Sequence, residues 1–170
     1  TSLGYAQFDD STMDHVRDDL DGLTVRISIA AGIASRKGMI PVQSAGNAGA
    51  SEWHYISAPA DAIDILSVGA VDEDRVVTGF SSRGPTIDGR VKPDVSAVGL
   101  GTIGVNGTGD GIESINGTSF ASPLVCGLTA CLWQLHPDLS AHAIMDAVRR
   151  SASHFHQPND SIGYGIPDFW

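Results

Sequence analysis

The sequence predicts an α/β fold built on a mainly parallel central sheet, and two observations predict it. Short apolar runs bounded by Gly, Pro or Asp, at Met39 to Ser44, Ile65 to Val71 and Asp94 to Val98, read as strands buried on both faces. Longer segments with helical spacing precede and follow them. At 170 residues and 42% hydrophobic content, the chain is long enough for one domain with a sizeable core.

The elements can be justified in order. After an Asp-rich stretch from Asp9 to Asp21, Leu23, Ile27, Ala30 or Ala31, and Ala34 recur at helical spacing, and Gly38 after Arg36-Lys37 is a C-terminal stop. That predicts a helix of roughly 14 residues. From Phe120 to His136 the chain is apolar with almost no charge, as expected of a helix that is hydrophobic all round and enclosed by protein. Pro123 is expected in its first turn, where proline is tolerated. Cys126 and Cys131, five apart on this helix, point away from each other and read as small buried apolar side chains, not a disulfide. Ser140 reads as the N-cap of a last helix, Ala141 to Ser153, with Ile144, Ala147 and Val148 as its apolar stripe.

Composition excludes some functions. Ten Lys and Arg stand against 20 Asp and Glu, a net charge of −10 with no basic run, which argues against nucleic acid or an anionic membrane as partner and favours cationic ones. No stretch of about 18 consecutive apolar residues, the length of a membrane span, occurs. The start, Thr1-Ser2-Leu3-Gly4, has neither a basic region nor an apolar targeting core.

The chemistry concentrates in Asn116-Gly117-Thr118-Ser119-Phe120-Ala121-Ser122-Pro123, which places a hydroxyl at the entry of the apolar helix behind a glycine. Unpaired N–H groups and a partial positive charge at a helix N-terminus favour a developing negative oxygen. Taken alone, the hydroxyl is better explained as an N-cap, by far the commoner reason for a hydroxyl before a helix. The whole octet, however, resembles the nucleophile motif of the subtilisin-like serine peptidases, Gly-Thr-Ser-x-Ala-Ser-Pro, at every fixed position. Further resemblances follow in the family's order over nearly the whole chain: Ser2-Leu3-Gly4, Ser44-Ala45-Gly46-Asn47, Ser67-Val68-Gly69-Ala70-Val71, Phe80-Ser81-Ser82-Arg83-Gly84-Pro85 and Lys92-Pro93-Asp94-Val95.

The resemblance implies a three-layer subtilisin-like fold and a serine endopeptidase acting on polypeptides. Ser119 would attack the scissile carbonyl, and the Asn47 side-chain amide with the Ser119 N–H would bind the oxyanion. In subtilisin the loss of one such donor costs about 100- to 1,000-fold in turnover. Ser2, Leu3 and Gly4 would pair with the substrate backbone as an added strand, and Ser44, Ala45 and Gly46 would line the primary specificity pocket. Taken locally, Asn47 also fits an ordinary turn, and Ser44 to Gly46 a buried strand end. The chemistry needs no cofactor; Asp72-Glu73-Asp74 could bind structural calcium, although a solvated acidic turn explains it better. The resemblance also implies a secreted or periplasmic location.

The family's triad runs Asp, His, Ser, with Asp-Ser/Thr-Gly and His-Gly-Thr settings, and neither setting occurs here. Asp160-Ser161-Ile162-Gly163 imitates the first poorly and comes near the end. Because Ser2-Leu3-Gly4 lies in mid-domain in the family, residues 1–170 are expected to be the C-terminal half of a peptidase domain, inactive alone. The partner would be the missing N-terminal half, or else another copy pairing through an exposed sheet edge. Two departures, Ala97-Val98-Gly99 for Ala-Pro-Gly and Leu124 for a His, suggest a divergent branch.

Three other readings compete. Gly99-Leu100-Gly101-Thr102-Ile103-Gly104 fits a dinucleotide fingerprint, but the glycine-rich stretch from Val105 to Gly111 cannot continue from it as a helix. An α/β-hydrolase elbow would need a closing Gly where Ala121 stands. A non-catalytic module on the same scaffold is the more serious rival. Asn106-Gly107-Thr108 and Asn116-Gly117-Thr118 match the glycosylation pattern and read as coincidental.

Overall fold

The computed structural model describes all residues from Thr1 to Trp170. Three strands, β1 (Val42–Ser44), β2 (Leu66–Val71) and β3 (Val95–Val98), form a parallel sheet in the order β1-β2-β3. Val42 faces Leu66 and Val68 faces Val95 across the ladders. Every residue of β2 is buried, as expected of a central strand read from a continuous apolar run. Val42, Leu66, Val68, Ala70 and Val95 turn one face of the sheet towards α2 (Thr118–Leu135) and α3 (Ala141–Arg150), which contribute Ala121, Val125, Met145 and Val148 to the main core. A second cluster joins Leu20 and Val25 to Ala45, Ile56, Ala58 and Ala60, and it seats α1 (Arg26–Arg36).

The other face of the sheet is small and polar. Asp94, 5% exposed, accepts from the Ser67 N–H (2.8 Å), the Ser67 hydroxyl (2.8 Å), Lys92 Nζ (2.7 Å) and Arg149 Nε (2.8 Å). Burial pushes the Asp94 carboxyl up, but Lys92 and Arg149 outweigh it and hold the group well below the usual carboxylate range. Burial also pulls the Lys92 ammonium below its ordinary value, against the opposing pull of Asp94. The outer edge of β3 is covered rather than bare, because Ser96 N–H donates to Gly165 and Tyr164 N–H to Asp94.

Several expectations are corrected. The first helix starts at Arg26, and Leu23 lies outside it, exposed, because the Asp21 carboxylate accepts the N–H groups of Leu23 and Thr24 and turns the chain there. Its buried face carries Ser28, Gly32 and Ser35, with Ser28 bonded to Asp61 at 2.6 Å; the apolar stripe of Ile27, Ala30, Ala31 and Ala34 instead lines an open groove with Pro41, Ile65 and Cys126. Only Thr118, Ala121, Ser122, Val125 and Thr129 of α2 are buried, and Leu124, Leu128, Leu135, Cys126 and Cys131 are exposed, so this helix is uncovered on its far side within this chain. The cysteines are free surface thiols. Pro123 is the sixth residue of the helix, in its second turn. The last helix ends at Arg150, three residues short, and Met145 rather than Ala147 completes its buried stripe. Thr1 runs alongside β1, its N–H donating to the Val42 carbonyl and its carbonyl accepting from the Ser44 N–H. An unforeseen antiparallel hairpin, β4 (Thr102–Val105) and β5 (Ile112–Ile115), follows β3.

Candidate active site

Ser119 is the second residue of α2, half-buried at the C-terminal end of the sheet. Its N–H belongs to the first turn, where no residue four earlier in the helix can accept it. Gly117 caps the helix with φ +147°, in the region that favours glycine, and donates to the Gly99 carbonyl at 2.7 Å. Gly99 is equally constrained: a Cβ there would lie 2.8 Å from the Gly117 oxygen and 2.7 Å from Ala70 Cβ. The glycine after β3 thus lets the sheet hold the nucleophile's turn.

Asn47 follows β1 on an exposed loop. Its Oδ1 accepts from both the Thr118 N–H and the Thr118 hydroxyl at 2.9 Å. Because a backbone N–H can only donate, the carbonyl end of the amide must face Thr118, and Nδ2 is left to donate outward. The fully buried Thr118 also accepts from the Gly46 N–H at 3.3 Å, which ties down the loop on both sides of the amide. The place a Cβ on Gly117 would take lies 3.4 Å from Asn47 Nδ2 and 3.7 Å from Ser119 N. Two N–H donors therefore border one volume that is open because residue 117 has no side chain. Such a pair can stabilise negative charge on an oxygen placed between them.

Pro123 shapes the other side. Lacking an N–H, it leaves the Ser119 carbonyl without its intrahelical donor, and the Ser2 hydroxyl donates to that carbonyl at 3.3 Å. The Ser119 hydroxyl donates in turn to the Ser2 carbonyl at 3.4 Å. Ser2, Leu3 and Gly4 are exposed beside Ser119, with the Leu3 carbonyl steadied by Gln43 Nε2 at 2.8 Å. Of the Ser44 to Gly46 trio, Ala45 is wholly buried, Ser44 is 4% exposed and Gly46 is half-buried.

No histidine hydrogen-bonds Ser119. His15 pairs with Asp19 at 3.5 Å, His54 meets the Glu52 carbonyl, His142 meets Asp64, His154 meets Ser153, and His136 ends α2 at its far terminus. Burial raises the Asp160 carboxyl above the usual range, and its backbone carbonyl accepts from Gly84, away from the nucleophile. Asp72 accepts from the Val76 N–H within its own turn. The dinucleotide reading fails on geometry, since Thr102 opens a strand. Sequence reading missed Thr118 as the residue orienting Asn47, although it sits inside the octet.

A sequence model of the subtilase family matches residues 2–165, and the chain belongs to that family. It is 28% identical over 148 residues to the serine protease AprX of Bacillus subtilis, covering 75% of this chain and 33% of that protein. It is 32% identical over 133 residues to subtilisin DY of Bacillus licheniformis, covering 78% of this chain and 45% of that one. Among solved structures, the self-cleaved protease domain of PatA superposes with TM-score 0.66 at 25% identity, over 84% of this chain and 51% of that chain. The chain thus spans about a third of AprX and half of that domain. The parallel sheet with its helices is the subtilisin-like fold. No helix is long and apolar enough to cross a membrane.

Proposed function

We propose that this chain is the nucleophile-bearing portion of a serine endopeptidase, and that its Asp and His come from polypeptide outside residues 1–170. In this reading Ser119 Oγ attacks the scissile carbonyl carbon, its proton passes to the external His, and the carbonyl oxygen moves between Asn47 Nδ2 and the Ser119 N–H. The C–N bond then breaks, the amine takes that proton, and water releases the acyl group. The observation that carries the reading is the convergence of those two donors beside Gly117, next to a serine at a helix N-terminus. Subtilase relatives point the same way. No cofactor enters any step. A non-catalytic module is the second reading, favoured by the Ser119 hydroxyl having a carbonyl rather than a base as partner.

Labelling with a fluorophosphonate probe tests both. The chain alone labels slowly, since without the rest of the triad subtilisin keeps only about 1,000- to 10,000-fold over water. Joined to an Asp- and His-bearing N-terminal portion of a subtilase domain, it labels rapidly, and Ser119→Ala abolishes the label. Rapid labelling of the chain alone overturns the external base; no labelling of the joined protein, once shown to be folded, favours the non-catalytic module.

A further inference from the structure

We propose that the cavity between Gly4 and Ala48 is a specificity pocket for a Lys or Arg side chain on the acyl side of the scissile bond, with Asp14 as the selecting residue; this rests on the reading of Ser119 and Asn47 above. The cavity encloses about 610 Å³, and Gly4, Ala48, Trp53, Ser57, Asp14 and His15 line it. Gly4 directly follows the exposed Ser2-Leu3 strip, and Ala48 directly follows the oxyanion amide Asn47. A peptide lying along that strip with its carbonyl oxygen at Asn47 therefore places its acyl-side side chain at this mouth.

The inner wall is closely packed: a Cβ on Gly4 would lie 2.7 Å from Ser57 Cβ, so the missing side chain lets the strip lie directly against Ser57. The opposite side is built by the segment from Tyr5 to Val16, which folds back on itself. His15 N–H donates to the Ala6 carbonyl at 2.8 Å, Phe8 N–H to Asp14 Oδ1 at 2.7 Å, and the Phe8 and His15 rings meet edge to face at 5.4 Å. These contacts fix Asp14 at the cavity with one oxygen engaged by Phe8 and the other available to a ligand.

Asp14 is the one carboxylate that lines the cavity. No Lys or Arg lines it. The nearest cation along the segment, Arg17, is turned onto the Tyr55 ring, 4.2 Å from its centroid. His15 is paired with a second carboxylate, Asp19, at 3.5 Å. A guanidinium or ammonium entering here gains Asp14 as counter-ion, a carboxylate is repelled, and an aromatic ring gains volume but no charge partner. The chain's net charge of −10 draws cationic peptides towards the same mouth.

The test titrates the full chain with acetylated tetrapeptide acids, Ala-Ala-Ala-Arg, Ala-Ala-Ala-Phe and Ala-Ala-Ala-Glu, by calorimetry or NMR. The terminal carboxylate stands in for the oxyanion. The Arg peptide binds at least about fivefold more tightly than the Phe peptide, the Glu peptide binds most weakly, and added salt shrinks the Arg advantage. Asp14→Asn keeps an acceptor for the Phe8 N–H and selectively lowers the Arg peptide to the Phe level. Asn47→Ala weakens all three together. An Arg preference that survives Asp14→Asn, or Phe binding as tightly as Arg, overturns the pocket assignment while dependence on Asn47 leaves the site reading standing. Absence of any Asn47-dependent binding overturns the site reading, and the pocket with it.

Discussion

Replacing Asp94 by Asn tests whether the buried charge cluster anchors the scaffold of the site. Both Asp94 oxygens are used, Oδ2 by Ser67 and Lys92 and Oδ1 by Arg149. Asparagine keeps one acceptor and turns an NH₂ towards either Lys92 or Arg149, so two cations lose their counter-charge, and Lys92 is only 3% exposed. Removing one partner from a buried ion pair costs about 3–5 kcal/mol, a large share of the roughly 5–15 kcal/mol that stabilises a domain. In a urea titration followed by circular dichroism at neutral pH, that loss moves the midpoint down by about 2 M. Adding Lys92→Met to the variant removes one stranded charge and recovers part of the loss. Acid supplies an independent check. A carboxyl held low in the folded state contributes its full stability above the unfolded value of about 4, and loses it as pH falls from there towards the lower folded value. The gap between wild type and variant therefore narrows as pH falls from about 5 to about 2. A loss below about 1 kcal/mol, or a gap constant with pH, would refute the reasoning.

Gly117→Ala places a methyl group in the volume between Asn47 Nδ2 and Ser119 N and forces a disfavoured φ, at about 1–3 kcal/mol. It abolishes binding of the peptide acids, whereas Gly107→Ala, where a Cβ meets nothing within 4 Å, leaves binding intact; equal binding by both variants would contradict the oxyanion geometry. The uncovered face of α2 and the groove beside α1 predict self-association of the isolated chain at micromolar concentration in light scattering, reduced by Leu128→Gln with Leu135→Gln. A cooperative monomer of ordinary stability would show that these faces are tolerated in water.

What was legible in the sequence depended on how locally each feature is determined. Buried parallel strands declare themselves by continuous apolar runs, and β1, β2 and β3 fall inside the predicted segments. The motifs that carry Ser119 and Asn47 are dense in fixed positions, and the fold brings the two segments together, although neither motif says that Thr118 aims the amide. The apolar character of α2 was read correctly, but hydrophobicity records a need for cover without saying what provides it, and within this chain Leu124 and Leu128 stay exposed. The Asp-rich stretch gave no periodicity because its carboxylates serve local turns: Asp10 accepts from Thr12, Asp14 from Phe8, Asp19 from Val16 and Asp21 from Thr24. The β4–β5 hairpin had a readable signal, two β-branched runs around Asn106 to Gly111, which the fingerprint-like spacing of its glycines masked.

The mutual hydrogen bonds of Ser2 and Ser119 span 117 residues of chain, and the Asn47 to Thr118 contacts span 71. Contacts so distant in sequence are among the last a folding chain can close, because the loop between them must be ordered first. During synthesis from the N-terminus, the strip beside the nucleophile and the amide above it emerge long before the serine that completes them. Assembly of this site therefore reports completion of the fold: a chain stalled before α2 carries the cradle without the serine, and one that misfolds around β3 leaves the serine on a helix end with no Asn47 to face.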